Sequence, residues 1–304
     1  MTLPRPRTLV VDGLETSLLE AGSGPVLLLL HGGAWGECAD TAWAGTVERL
    51  ATTHRVLAPD WLGFGGSAKV RDFADLPGRM TGHLARLLEA LGADEPVDAV
   101  GLSMGGSFLL RDLVSPSPRL RVRRAVLVSA GGPPIDRETW ARLADYDGTD
   151  ASMRRQIALA FADPAWAQDE QYVARRVEAS RRPGAYEFFA SLQARAPWAP
   201  PPPPGDPVPY ERVSVPTLVV AGGADPLKPP GWADPVVQRI PDARLHVVAG
   251  AGHCPQLEAA DEFERVLLDF LTDDARPVPP ADKPPDPPPD PPTDLPAPEP
   301  LESR

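Results

Sequence analysis

Along the chain, short runs of consecutive apolar residues alternate with longer stretches whose apolar positions recur every three or four residues. The runs are 25–33 (PVLLLLHGG), 55–61 (RVLAPDW), 97–103 (VDAVGLS), 123–132 (RRAVLVSAGG), 215–226 (VPTLVVAGGADP) and 243–253 (ARLHVVAGAGH), their apolar cores closed by glycine or polar residues. A strand that stays apolar without alternating is buried on both faces, so these runs predict a mostly parallel twisted sheet with helices on both sides. The helical periodicity falls between them, at Ala42–Thr52, Pro77–Leu91, Met104–Val114 (closed by SPSP) and Glu262–Leu271. An earlier pair of strands, Thr8–Val11 and Ser17–Glu20, is separated by DGLET and predicts a hairpin.

The βα rhythm stops between Pro133 and Pro209. Only amphipathic pieces occur there (MRRQIALAFA, EQYVARRVEA, GAYEFFASLQA), followed by PWAPPPPPGDPVP. The pattern predicts a helical lid at 133–209, inserted between sheet segments 1–132 and 210–275 and returned to the sheet by a stiff proline connector. Residues 276–304 repeat Pro-Pro-Asp units with almost nothing apolar to bury. Proline removes backbone donors and the acidic residues repel, so no packed core offsets the ordering entropy and a disordered tail is expected. A solubilising role is preferred over a ligand for a Pro-rich-motif reader.

Composition narrows the function class. The 304 residues, 42% hydrophobic and 24% charged, suit one globular domain with additions, and a soluble enzyme is the default reading. A net charge of −12 argues against nucleic acid as a partner. The N-terminus lacks the apolar stretch of a signal peptide and the run Val26–Leu30 is too short to span a bilayer, so a cytoplasmic location without membrane contact is expected. Cys38 and Cys254 are too few for a disulfide framework and lack zinc-site spacing, and are read as free thiols.

In a parallel sheet the ligand site lies beyond the carboxyl ends of the strands. His31-Gly32-Gly33, Ser103, Asp225 and His253 each follow a strand run. A serine hydroxyl needs a neutral imidazole to take its proton, and that imidazole needs a carboxylate to fix its tautomer. Gly101-Leu-Ser-Met-Gly105 matches the G-x-S-x-G turn that lifts a serine above the sheet and aims the Met104 N–H at a reacting carbonyl. Gly33 is expected to supply a second oxyanion donor. Of five histidines only His253 occupies a glycine-flanked loop after a late strand, and Asp225 precedes it by room for one helix and one strand. Asp60 ends a strand but precedes the serine, and Asp136 is a reserve acid. A lone G-x-S-x-G is weak, a lone loop histidine is often merely solvated and a strand-end Asp is often a cap; jointly and in this order they specify a triad. A rival, GFGGSA at 63–68, fits a loose dinucleotide fingerprint, but the next strand ends in Ser103 rather than an acid, and its glycines are read as a turn.

From about residue 8 to 272 the motifs HGG, DWLGFGGS, GLSMGG, GGADPL and GAGHCPQLEAADEF resemble, in order, the α/β-hydrolase superfamily. The last string is similar to the ending of the meta-cleavage-product hydrolases, carbon–carbon bond hydrolases of aromatic degradation, which read G-H-W-x-Q-x-E before an acidic helix. The resemblance implies an α/β-hydrolase fold in which the helical insertion is a lid and one of its arginines binds the substrate carboxylate. Arg176, in YVARRVEASRRP, is the candidate by position, with a solvated helix-face arginine as its alternative. Three positions differ from that subfamily and are expected to reshape the pocket wall: Leu102 for Asn, Ala34-Trp35 for Gly-Pro, and Cys254 for Trp. The elements also fit esterases and cofactor-free haloperoxidases or perhydrolases.

The expected activity is therefore hydrolysis of a small hydrophobic carbonyl compound, an ester or a vinylogous diketone. Ser103 attacks, His253 moves the proton, Asp225 orients it, Gly33 and Met104 N–H groups hold the oxyanion, and Trp35, Leu102 and Arg176 contact substrate. No cofactor or metal is expected. Trp140, Trp166, Phe188, Phe189 and Trp198 are the lid aromatics available for the pocket, with packing of the lid onto the sheet as the alternative role for most of them. A homodimer is left open, and a non-catalytic ligand-binding protein on the same scaffold is the alternative from another class.

Overall fold

The computed structural model describes residues 5–192, 194 and 206–273. The connector residues 197–205 with Trp198, and the tail 276–304, lie outside the described residues. The first two strands, β1 (Arg7–Val11) and β2 (Leu14–Ala21), form an antiparallel hairpin. Its turn is shorter than the sequence suggests, because Asp12 and Gly13 both take positive φ (50° and 77°) and close a two-residue connection. β2 therefore begins at Leu14 and absorbs most of DGLET.

The chain continues through β3 (Val26–Leu30), α1 (Ala39–Leu50), β4 (Arg55–Pro59), α2 (Leu76–Ala90), β5 (Val97–Leu102), α3 (Met104–Leu113) and β6 (Val122–Val128). Four helices follow with no strand among the described residues: α4 (Arg137–Ala144), α5 (Asp150–Ala158), α6 (Glu170–Ser180) and α7 (Ala185–Ser191). β7 (Thr217–Gly222), α8 (Ala233–Arg239), β8 (Ala243–Val248), a single turn α9 (Pro255–Glu258) and α10 (Ala260–Thr272) complete it. This is an α/β-hydrolase fold. The eight strands run in the order β1-β2-β4-β3-β5-β6-β7-β8, parallel from β4 to β8.

Every residue of β5 and β7 is buried, as continuous apolar runs require. β8 differs from that expectation: of its six residues only Val248 is buried, because β8 is an edge strand with a neighbour on one side alone. The register sets the strand ends side by side, Leu30 against Gly101, Leu102 against Val128 and Gly222 against Val248. Chain order reverses at β3, whose neighbours are β4 and β5, and a crevice above the strand ends belongs at such a switch point. No helix among the described residues is long and apolar enough to cross a membrane.

Candidate active site

Ser103 joins β5 to α3 with φ 48° and ψ −111°, a conformation L-residues rarely adopt. The turn is this tight because β5 and α3 nearly touch: a methyl group on Gly101 would lie 2.4 Å from the Gly106 Cα. A serine at a helix N-cap ordinarily accepts a backbone N–H from the first turn. Ser103 caps nothing with its side chain; its Oγ lies instead 2.8 Å from His253 Nε2. His253 Nδ1 lies 2.8 Å from Asp225 Oδ2, and the other carboxylate oxygen accepts the Leu227 N–H at 2.8 Å. Facing a carboxylate, Nδ1 carries the proton and Nε2 is left to accept from the serine. The Asp225 and His253 side chains are 2% and 7% exposed, dry enough for each hydrogen bond to count.

The structure thus brings Ser103, His253 and Asp225 into one line and gives the other candidates different work. Asp136 caps α4 by accepting the Glu138 and Thr139 N–H groups. Asp60 is buried and accepts from Ala39 and Gly66 N–H, tying the start of α1 to the glycine turn. That turn, 63–68, closes on itself through Gly63 N–H to Ala68 O and Ser67 N–H to Phe64 O, and the next helix starts only at Leu76. A phosphate-binding loop would lead straight into a helix. His31 is fully buried, donating from Nδ1 to Gly32 O (2.7 Å) while Nε2 accepts the Trp61 N–H (3.0 Å). His83 pairs with Thr16 Oγ1 and His246 with Glu262.

Gly33 and Met104 adjoin one another: a methyl on Gly33 would lie 2.5 Å from the Met104 Sδ. Both line, with Ser103 and His253, a cavity of about 360 Å³ whose walls are mostly apolar. The helical segment contributes Trp140, Ile157, Phe161 and Phe189 to it. Trp166 and Phe188 do not line it; they pack against Phe161 and Phe64.

The candidate substrate contacts divide. Leu102 is a correction to the expectation: it is 1% exposed, in the hydrophobic core, and absent from the cavity wall, because it is the last residue of a strand buried on both faces. Trp35 lines the cavity, but its ring is also held in the helical segment, stacked on Phe189 with centroids 3.8 Å apart and donating from Nε1 to Leu143 O. Arg176 is buried, not on a solvated helix face. It lines the cavity and donates through Nε and Nη2 to Trp35 O and through Nη1 to Tyr172 Oη. Cys254 lines the cavity too, and burial holds its thiol well above the usual 9.0, so it is protonated.

Three residues escaped the sequence reading. Lys228 lines the cavity and donates to Gly131 O, and burial lowers its pKa below the ordinary lysine value. Glu258 clasps the histidine loop to the helical segment, accepting the N–H groups of Gly252, Ala162 and Asp163 while His253 N–H donates to Ala160 O. Glu37 does the same for the loop after β3, accepting from Gly32 and Ala34. For Glu258 the available signal was the closing E of the G-H-W-x-Q-x-E string; for Glu37 the sequence offers none.

Known proteins share this architecture. Residues 27–266 match the pattern described as the alpha/beta hydrolase family. The 2-hydroxymuconate semialdehyde hydrolase of Pseudomonas putida is 34% identical over 274 residues, which make up 88% of this chain and 94% of that protein. A 2-hydroxy-6-oxo-2,4-heptadienoate hydrolase, also from Pseudomonas putida, is 31% identical over 268 residues, 87% of this chain and 95% of that protein. The solved structure of a meta-cleavage product hydrolase from Pseudomonas fluorescens IP01 superposes with a TM-score of 0.76 at 27% identity, covering 87% of this chain and 97% of that one.

Proposed function

The chain belongs to the alpha/beta hydrolase family, and from that premise we propose that it hydrolyses a carbon–carbon bond in a vinylogous diketone acid of the 2-hydroxy-6-oxo-2,4-dienoate type. The observation that carries this reading is the hydrogen-bonded line from Ser103 through His253 to Asp225, opening on a largely apolar cavity that also holds a buried arginine. The curated relatives act, by their names, on conjugated acids of this kind.

Ser103 Oγ forms a bond to the ketone carbon while His253 Nε2 takes the hydroxyl proton. The oxyanion is held by the N–H groups of Gly33 and Met104, neither of which donates to an acceptor among the described residues. Collapse breaks the carbon–carbon bond. The bond breaks in the 2-keto tautomer of the dienol, its hydroxyl proton having moved to C5, so the departing C5 carbanion is delocalised through the C3–C4 double bond onto the 2-oxygen, which takes the proton from the His253 imidazolium. Water, deprotonated by His253, then releases the acyl group as a second acid and returns the proton to Ser103. Asp225 keeps the imidazole in the tautomer that each step needs. Arg176 binds the dienoate carboxylate: three of its five N–H groups are spent on Trp35 O and Tyr172 Oη, which leaves two for a ligand in the cavity.

Two measurements test this. A fluorophosphonate probe labels Ser103 in the folded protein; no adduct would end the serine-hydrolase reading and favour a ligand-binding scaffold. Loss of the yellow colour of a 2-hydroxy-6-oxo-dienoate is then compared with turnover of a p-nitrophenyl ester. Rapid ester cleavage with an unchanged dienoate would replace the carbon–carbon assignment by an esterase one.

A further inference from the structure

We infer that Glu37 is the positioning residue of the oxyanion hole: its carboxylate fixes the two N–H groups flanking Gly33, so that the Gly33 N–H is held toward the serine before substrate arrives. The inference rests on the serine-hydrolase reading above and adds a residue to it.

The loop after β3 reads His31-Gly-Gly-Ala-Trp-Gly-Glu37. Glu37 is 7% exposed, and its carboxylate turns back over the loop: Oε1 accepts the Gly32 N–H at 3.1 Å and Oε2 accepts the Ala34 N–H at 2.9 Å. Its own N–H closes the turn on Ala34 O at 3.0 Å. The carboxylate lies so close to the backbone that a methyl on Gly32 would stand 2.8 Å from Oε1, so glycine is needed there to admit it. Two alternate N–H groups bound on one side of a loop leave the N–H between them without that acceptor. Gly33 is that middle residue, and it adjoins Met104, whose N–H opens α3.

A backbone donor in a loop of three small residues would otherwise sample many directions, and an oxyanion hole gains its effect from donors fixed in advance. A carboxylate suits this task better than any neutral side chain, because it offers two acceptor oxygens and no donor. From the other side, Arg176 holds the Trp35 carbonyl, so the loop is fastened at both ends of its turn. Glu37 need not touch the reacting atoms to act; it works through Gly33.

The test uses Glu37→Gln, which keeps the shape of the side chain but turns one acceptor into a donor facing an N–H. The rate of fluorophosphonate labelling of Ser103, and kcat for whichever substrate the wild type turns over, are expected to fall by roughly 10- to 100-fold, within the effect of losing one oxyanion donor. KM is expected to change less than about threefold on the same grounds. Wild-type labelling kinetics in a folded Glu37→Gln protein would overturn the inference, as would a rise in KM with kcat unchanged, which assigns Glu37 to ground-state binding. A wild type that never labels refutes the parent reading instead, so the two failures are separable. Should the variant not fold, the wild type still decides. With ¹⁵N-glycine labelling, formation of a phenylboronic acid adduct on Ser103 is expected to move the Gly33 amide proton downfield and leave Gly32 in place. The reverse pattern, or no change at Gly33, would refute the assignment.

Discussion

In the proposed mechanism an imidazole serves Ser103 as a base only with its proton on Nδ1, and the neighbour that would enforce this is Asp225. Asp225→Asn preserves size and can still hydrogen-bond, but its amide can donate to Nδ1 and so admits the wrong tautomer. Its kcat is expected to drop by about 10⁴-fold with KM nearly constant. Steady-state kinetics on the wild-type substrate, with an unchanged melting temperature as control, checks this; a loss of under tenfold would return the acid's role to another residue. The proximity of Ser103, His253 and Asp225 was legible in the sequence because each follows its own strand, and strand ends in a parallel sheet converge by topology. Leu102 was misread because adjacency to Ser103 along the chain says nothing of which face a strand residue takes. Glu37 was invisible for a different reason: its partners are backbone N–H groups, which every sequence offers everywhere.

Between elements, α3 fits closely against β5 and the residues that follow β6. A methyl group on Gly106 would lie 2.4 Å from the Ala130 Cβ and 2.5 Å from the Gly101 carbonyl oxygen, and the latter is backbone that cannot turn aside. Gly106→Ala is therefore expected to push the helix off the sheet, at a cost of about 1–3 kcal/mol from overpacking. Because Ser103 is the N-cap of that helix, labelling of Ser103 should slow as well. Urea unfolding reads the first effect and the fluorophosphonate rate the second; a variant as stable and as reactive as wild type would show that the gap closes without strain. The sequence placed these two elements correctly because continuous apolar runs and 3.6-residue periodicity are local signals. It misjudged the hairpin turn, where Asp12-Gly13 sufficed, and the burial of β8, because an edge is a property of the sheet and not of the strand.

At the scale of the molecule, the strand order depends on contacts between residues far apart in sequence, which local apolar patterns do not carry. The same long-range packing sets how stability responds to pH. His31, His54 and His83 are all driven below the ordinary imidazole pKa of 6.5, each chiefly by burial. For His31 the cause is visible: Nε2 accepts the Trp61 N–H, so a second ring proton would face a donor. A folded-state pKa below the unfolded one means that the unfolded chain binds more protons once the pH drops beneath 6.5. Stability is then fully present above that value and is lost as pH falls through it, with a slope of up to about 1.4 kcal/mol per pH unit for each such histidine. Glu258 works in the opposite sense, since burial raises its pKa above 4.5 and its charged form is the costlier one when folded. The paired and capping carboxylates Glu20, Asp72 and Asp147, with lowered pKa values, add a further loss only at more acid pH, below their ordinary carboxylate range. The expected profile is a plateau near neutrality, a decline that begins at about pH 6.5 and a steeper one below about pH 4. Urea midpoints measured between about pH 7.5 and 5.5 should fall, and the His31 ring followed by NMR should protonate below its ordinary 6.5. A flat profile across that window, or a His31 ring that protonates near 6.5, would mean that its buried acceptor role is not what the packing implies.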